Sequence, residues 1–252
     1  MPSTAEDVQR ALRERARPAD AVTLARFFRS GPGQYGEGDR FLGIRVPETR
    51  KVVGKFHDLP LEEVRRLLDS PFHEDRLAAL LVLVSRFRRA SAHRSRDDAE
   101  RRTLHGFYLD AVRAGRVDNW DLVDTSADTL VGQYLIDHPS DLLERLADGE
   151  SLWERRVAVI ATFAAIKAGD AAPTLAVAER LVPDREDLIQ KAVGWMLREV
   201  GKRVSREALT QFLDQAAPRM GRTALSYATE HLDETQRARY RAMPRVPAER
   251  MR

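Results

Sequence analysis

The sequence lacks cysteine altogether. That excludes disulfides and thiolate metal sites, and it fits a reducing compartment. Long apolar runs are missing too: no window holds eighteen consecutive apolar residues, so no membrane-spanning helix is expected. The first twenty residues carry Glu6, Asp7, Glu14 and Asp20 and no apolar stretch, so no secretory leader is expected. Alternating apolar and polar runs are short and β-branched clusters are few, which argues against sheet. The six histidines, at 57, 73, 93, 105, 138 and 231, are scattered without metal-ligand spacing. They read as surface or loop residues, and neither a metal nor a cofactor is expected. "GPGQYGEGD" (31–39) lacks the closing Gly-Lys-Ser/Thr of a phosphate loop and follows no predicted strand, so nucleotide-binding readings fall away. No serine nucleophile elbow is present.

Lysine is scarce. It occurs only at 51, 55, 167, 191 and 202, so 37 of the 42 basic residues are arginine and five are lysine. The planar guanidinium fork suits phosphate recognition, although a codon bias towards arginine gives the same count. The formal net charge of +3 is a weak pointer to an anionic partner. A length of 252 residues, 43% apolar and 32% charged, describes a globular soluble chain with a sizeable core.

What is abundant is the helical period. Helices are expected over 4–16, 20–30, 47–57, 60–69, 73–89, 97–115, 119–136, 139–147, 151–168, 170–182, 186–202, 205–217, 219–231 and 233–241. Pro47 with Glu48 makes a good first turn, and Ser70-Pro71 and His138-Pro139 read as breaks. "EDRLAALLVLVSRF", "DNWDLVDTSADTLVGQYL", "WERRVAVIATFAAIK" and "LIQKAVGWMLREVGK" begin at 74, 118, 153 and 188. That spacing matches paired-helix repeats of the HEAT type, which bury their apolar faces only by stacking. The expected architecture is an all-α, HEAT-like solenoid over 1–242, with a frayed Pro- and Arg-rich tail over 243–252.

Three constellations carry chemistry. Lys191, Trp195, Arg198 and Lys202 form one stripe on a helix, while Ile189, Ala192, Val193, Met196, Leu197 and Val200 can face the core. Cations beside an aromatic plate suit a nucleic acid; a Trp packed beneath lysine stems is the structural alternative. Trp153, Arg156, Ile160, Phe163 and Lys167 lie on a similar line, with Arg155 pointing elsewhere, so that one arginine reaches inward while the other is solvated. In "VDNWDLVDTSA" (117–127), Trp120 and Asp124 share a face at i, i+4. A carboxylate among cations repels phosphate, but it can stabilise a sugar cation formed as a glycosidic bond breaks. An N-cap or surface ion pair is the plainer reading.

"RSGPGQYGEGDRFLGIRVPETRK" (29–51) holds five glycines in an otherwise helical chain. It is either a plain connector or a loop whose backbone comes close to a ligand.

Four ordered motifs, "FLGIRVPETRK", "VDNWDLVDTSA", "LWERRVAVIATFAAIK" and "LIQKAVGWMLREVGK", together resemble the DNA alkylation repair enzymes of the AlkD type, over about residues 20–232. The resemblance implies a C-shaped HEAT-like solenoid with duplex DNA on its concave face. It implies a DNA glycosylase, a hydrolase of base excision repair, that removes positively charged N3- and N7-alkylated purines without a cofactor. By motif, Trp120 and Asp124 carry over as the first Trp and the catalytic carboxylate, Arg156 as the phosphate-binding arginine and Trp195 as the second Trp. Lys191, Arg198, Lys202 and Lys167 become DNA-binding cations. The long Gly-rich segment is expected to let Tyr35 and backbone amides contact a phosphate, with Arg45 nearby. A monomer in the bacterial-type cytoplasm, associated with the nucleoid through DNA, is expected. The competing readings are a module that binds damaged or branched DNA without chemistry, and a protein-binding scaffold.

Overall fold

The computed structural model describes residues 3–245. The expected frayed tail lies outside the described residues beyond Arg245. Apolar positions recur at helical spacing throughout, and the described residues are almost wholly helical. They contain α1 (Ala5–Arg13), α2 (Pro18–Phe27), α3 (Val46–Val53), α4 (Leu61–Leu68), α5 (His73–Ser91), α6 (Asp98–Arg113), α7 (Trp120–Ala127) and α8 (Gln133–Asp137). The order continues with α9 (Leu142–Ala147), α10 (Leu152–Ala161), α11 (Phe163–Lys167), α12 (Ala172–Leu181), α13 (Asp187–Arg203), α14 (Arg206–Ala216), α15 (Arg222–Ala228) and α16 (Glu234–Ala242). No strand is found among the described residues; one parallel bridge joins Arg40 and Phe72. The fold is an all-α helical repeat. Two expected helices are interrupted. A π-helical segment, Asp128–Gly132, separates α7 from α8, and Thr162 separates α10 from α11, its hydroxyl donating to the Val159 carbonyl at 2.7 Å.

The chain divides into two compact units, Met1–Leu130 and Val131–Arg252. In the first, α5 is the central helix, packed by α3, α4, α6 and α7. From Leu77 to Val84 it is buried at every position, so it is apolar all round rather than amphipathic. In the second unit α13 takes that place, packed by α10, α12, α14 and α15. Ile189, Ala192, Val193, Met196, Leu197 and Val200 are buried as the period predicts. Gly194 lets α15 approach, since a Cβ there would lie 2.5 Å from the Ala224 carbonyl oxygen.

Candidate functional site

Trp120 is the first residue of α7, and Asp124 follows one turn later. Asn119 caps the helix: its side-chain oxygen accepts from the Trp120 amide at 2.9 Å, and its amide nitrogen donates to Asp39 at 3.1 Å. Trp120 is half-buried. Its ring stacks on Phe28, with centroids 5.3 Å apart, and meets Phe27 edge-on at 5.8 Å. Phe28 in turn stacks on Phe41 and lies tilted against the His73 ring, with centroids 4.8 Å apart. Asp124 is half-buried, and its charge reaches the fully buried Tyr108. Burial first, and the Asp124 carboxylate after it, raise that phenol's pKa.

Beneath this aromatic stack lies a buried ionic network that the sequence reading passed over. His73, 2% exposed, contacts Asp121 at 2.8 Å and Asp39 at 3.2 Å through its two ring nitrogens. Burial opposes charge on the ring, but Asp121 and then Asp39 overcome it and raise the pKa to about 9. Arg76 pairs with Asp118 at 2.6 Å and with Asp39. Asp39 is desolvated, yet His73 and Arg76 hold its carboxyl below the usual range. His73 is therefore not a surface histidine. His105 is also buried, its Nδ1 donating to the Leu130 carbonyl at 2.8 Å.

The network explains the Gly-rich segment. Asp39 ties the segment to this network, and the chain passes close to its own start at Gly36, where a Cβ would lie 2.6 Å from the Phe28 carbonyl oxygen. Of the amides expected to contact a phosphate, six between Gly31 and Asp39 have partners within the chain. Gly31 and Gly33 donate to Gln34 and Glu37 side chains, and Gln34, Gly36, Glu37 and Asp39 donate to carbonyls within the segment. The amides of Leu42, Gly43 and Ile44 do cradle an anion, but it is the buried Glu74 carboxylate, at 2.9, 2.9 and 3.1 Å. Gly43 takes a φ of +82° to turn its amide there. Tyr35 is half-buried, and Arg45 is exposed at the start of α3.

In the second unit, Arg156 is 4% exposed and donates from Nη1 to the Leu188 carbonyl at 2.6 Å. Arg155 is not solvated as expected. It pairs with Asp184 at 2.8 Å and donates to the Gly149 and Glu150 carbonyls. Trp195 is half-buried on α13 beside Phe163, at 6.3 Å. Lys167 and Arg203 lie over the Phe163 ring at 5.1 and 5.3 Å. The basic stripe is partly neutralised. Lys191 pairs with Asp187 at 2.7 Å, and Arg198 with Glu230 and, at 3.2 Å, Glu199. Lys202 is exposed. Each unit thus carries a half-buried tryptophan: one a turn from a carboxylate, the other among cations and a phenylalanine. Among the described residues no group of His, Asp and Glu can hold a metal ion.

The family model for DNA alkylation repair enzymes matches residues 8–232. The chain belongs to that family. It is a DNA alkylation repair protein, and the family is one of enzymes. A solved structure described as a predicted DNA alkylation repair enzyme from Enterococcus faecalis has a similar fold. It superposes with a TM-score of 0.64 at 17% identity, over 87% of this chain and 97% of that one. No curated protein sequence matches the chain.

Proposed function

We propose that this DNA alkylation repair protein is a DNA glycosylase. It hydrolyses the N-glycosidic bond of N3- and N7-alkylated purines in duplex DNA. The observation that carries the reading is Asp124 one helical turn from Trp120, on a helix whose first residue is held by a buried ionic base. An alkylated purine is already cationic. When its C1′–N bond breaks, the bonding pair neutralises the ring and the base leaves without needing a proton. The difficult partner is the sugar, which becomes an oxocarbenium-like cation before water adds at C1′. Asp124 supplies negative charge to that cation, and Trp120 one turn away supplies a π-face that favours a positive sugar; Trp195 is the second tryptophan proposed for catalysis by family resemblance. Arg156, Lys167, Lys191 and Lys202 serve the phosphates, and Arg198, proposed as a DNA contact too, contributes least because it already faces Glu199 and Glu230. Tyr35 and Arg45 remain proposed DNA contacts through side chains rather than amides.

The test is release of free 7-methylguanine from methylated duplex by the purified protein. Asp124→Asn should bind the duplex as before and release base about 10²–10³-fold more slowly, the magnitude expected when one transition-state stabiliser is removed. Release by that variant at the wild-type rate would refute the role of Asp124. A wild type that binds but releases nothing would leave the non-catalytic reading.

A further inference from the structure

Helix α2 closes in a Schellman motif. The Ser30 amide donates to the Ala25 carbonyl at 3.0 Å, and the Arg29 amide donates to the Arg26 carbonyl at 3.2 Å. Such a closure needs a left-handed residue just past the helix end, and glycine usually supplies it because it has no Cβ. Here that residue is Arg29, with a φ of +49°. Every other described residue with positive φ is a glycine, and Gly33 and Gly38 lie in the same Gly-rich segment. The chain keeps an arginine at the one such position where its backbone asks for glycine.

The surroundings hold this conformation in place. The Ser30 hydroxyl also donates to the Ala25 carbonyl, at 3.0 Å, and the Arg29 carbonyl accepts from the Gly36 amide at 3.2 Å. The side chain has no such commitment. Arg29 is exposed, and among the described residues its guanidinium has neither an ion pair nor a hydrogen bond. The two residues before it are the rings that hold Trp120: Phe28 stacked at 5.3 Å and Phe27 edge-on at 5.8 Å.

A left-handed backbone costs an L-residue energy, and such strain persists at sites where the side chain has a task. One task lies inside the fold, as a cation at the negative end of the α2 dipole. The closing carbonyls do not need it: Leu24, Ala25 and Arg26 already accept amides from Phe28, Ser30 and Arg29. The other task is an anion from outside. A cation next to an aromatic stack fits a nucleotide, whose base or sugar meets the ring while its phosphate meets the guanidinium.

We propose that Arg29 contacts a backbone phosphate of the nucleic acid beside Trp120, and that its left-handed backbone is kept for that contact. The choice of duplex DNA as the ligand rests on the reading of Trp120 as part of the glycosylase site.

Two full-length variants separate charge from strain: Arg29→Gly removes both, and Arg29→Ala removes the charge alone. The Tm of Arg29→Gly should exceed that of the wild type by about 2 °C, because relief of the left-handed strain outweighs the freedom that glycine adds to the unfolded chain. Arg29→Ala should melt with the wild type. The slope of log affinity against log salt for unmodified duplex should fall by about 0.9 in both, one phosphate contact, and Arg29→Lys should keep it. A Tm of Arg29→Gly at or below the wild-type value would make the arginine a structural part of the turn and overturn the proposal. An unchanged slope in either variant overturns it equally. Base release from 7-methylguanine duplex by the wild type is followed in parallel. A slope that holds while base is released sinks this contact and leaves the glycosylase standing, whereas a slope that falls while no base is released does the reverse.

Discussion

The two units support their tryptophans by opposite means. Trp120 stands on buried charge: Asp39, His73, Asp121 and Arg76 are all nearly sealed from water and join three separate stretches of chain. Trp195 stands on apolar packing, with Met196, Leu197, Val193 and Ala192 behind it and α15 brought close at Gly194. The ion pair of Lys191 with Asp187 on the same helix lies towards the surface. A buried ionic base specifies geometry sharply, because any misplaced member leaves an uncompensated charge; an apolar base tolerates small shifts. The unit that carries the carboxylate proposed for catalysis is the one with the stricter foundation.

This contrast can be broken by mutation. His73→Ala leaves two carboxylates and Arg76 without their central cation. It should lower stability by about 3–5 kcal/mol, read as a shift in urea midpoint. A loss below about 1 kcal/mol would mean that the network is not a foundation. The counterpart in the second unit is Gly194→Ala, whose Cβ would lie 2.6 Å from the Tyr227 Cβ as well as close to the Ala224 carbonyl. Helix α15 must move to admit it, at about 1–3 kcal/mol. Equal losses from the two variants would erase the distinction drawn here. A pH series sharpens it. The His73 pKa in the folded state is about 9, above its ordinary 6.5. The stabilisation from this group is therefore fully present below pH 6.5 and is lost as pH rises through about 9. The urea midpoint should fall across that window in the wild type and fall less in His73→Gln.

The sequence made the helices and the motif residues legible, because both depend on local spacing. The inward positions of α13 follow directly from the 3.6-residue period. The breaks at Asp128–Gly132 and Thr162 escaped notice because neither begins with proline or glycine. The ionic network was illegible for another reason. His73 reaches Asp39 across 34 residues and Asp121 across 48, and no local pattern encodes such pairings. One signal was available. His73, Glu74, Asp75 and Arg76 open a helix that is apolar on every side from Leu77, so four consecutive polar residues had to enter the core together. In the Gly-rich segment the Gly43 amide turns toward an anion that the chain itself supplies, the Glu74 carboxylate.

The smallest expected effect separates the cations of α13, which spacing alone treats as equivalent. Each phosphate neutralised contributes about 0.9 to the slope of log affinity against log salt. Lys202 is exposed, so Lys202→Ala should remove close to one such contribution. Lys191 must first leave Asp187, and its loss should remove less. Arg198 already faces Glu230 and Glu199, so its side chain brings little net charge to a phosphate. Arg198→Ala should barely alter the slope. Folding stability should stay within about 0.5 kcal/mol for Lys191→Ala, as for other exposed i, i+4 pairs. Equal slope losses in all three variants would show that the ion pairs open when DNA binds. The charge of the second unit would then be as mobile as that of the first is fixed.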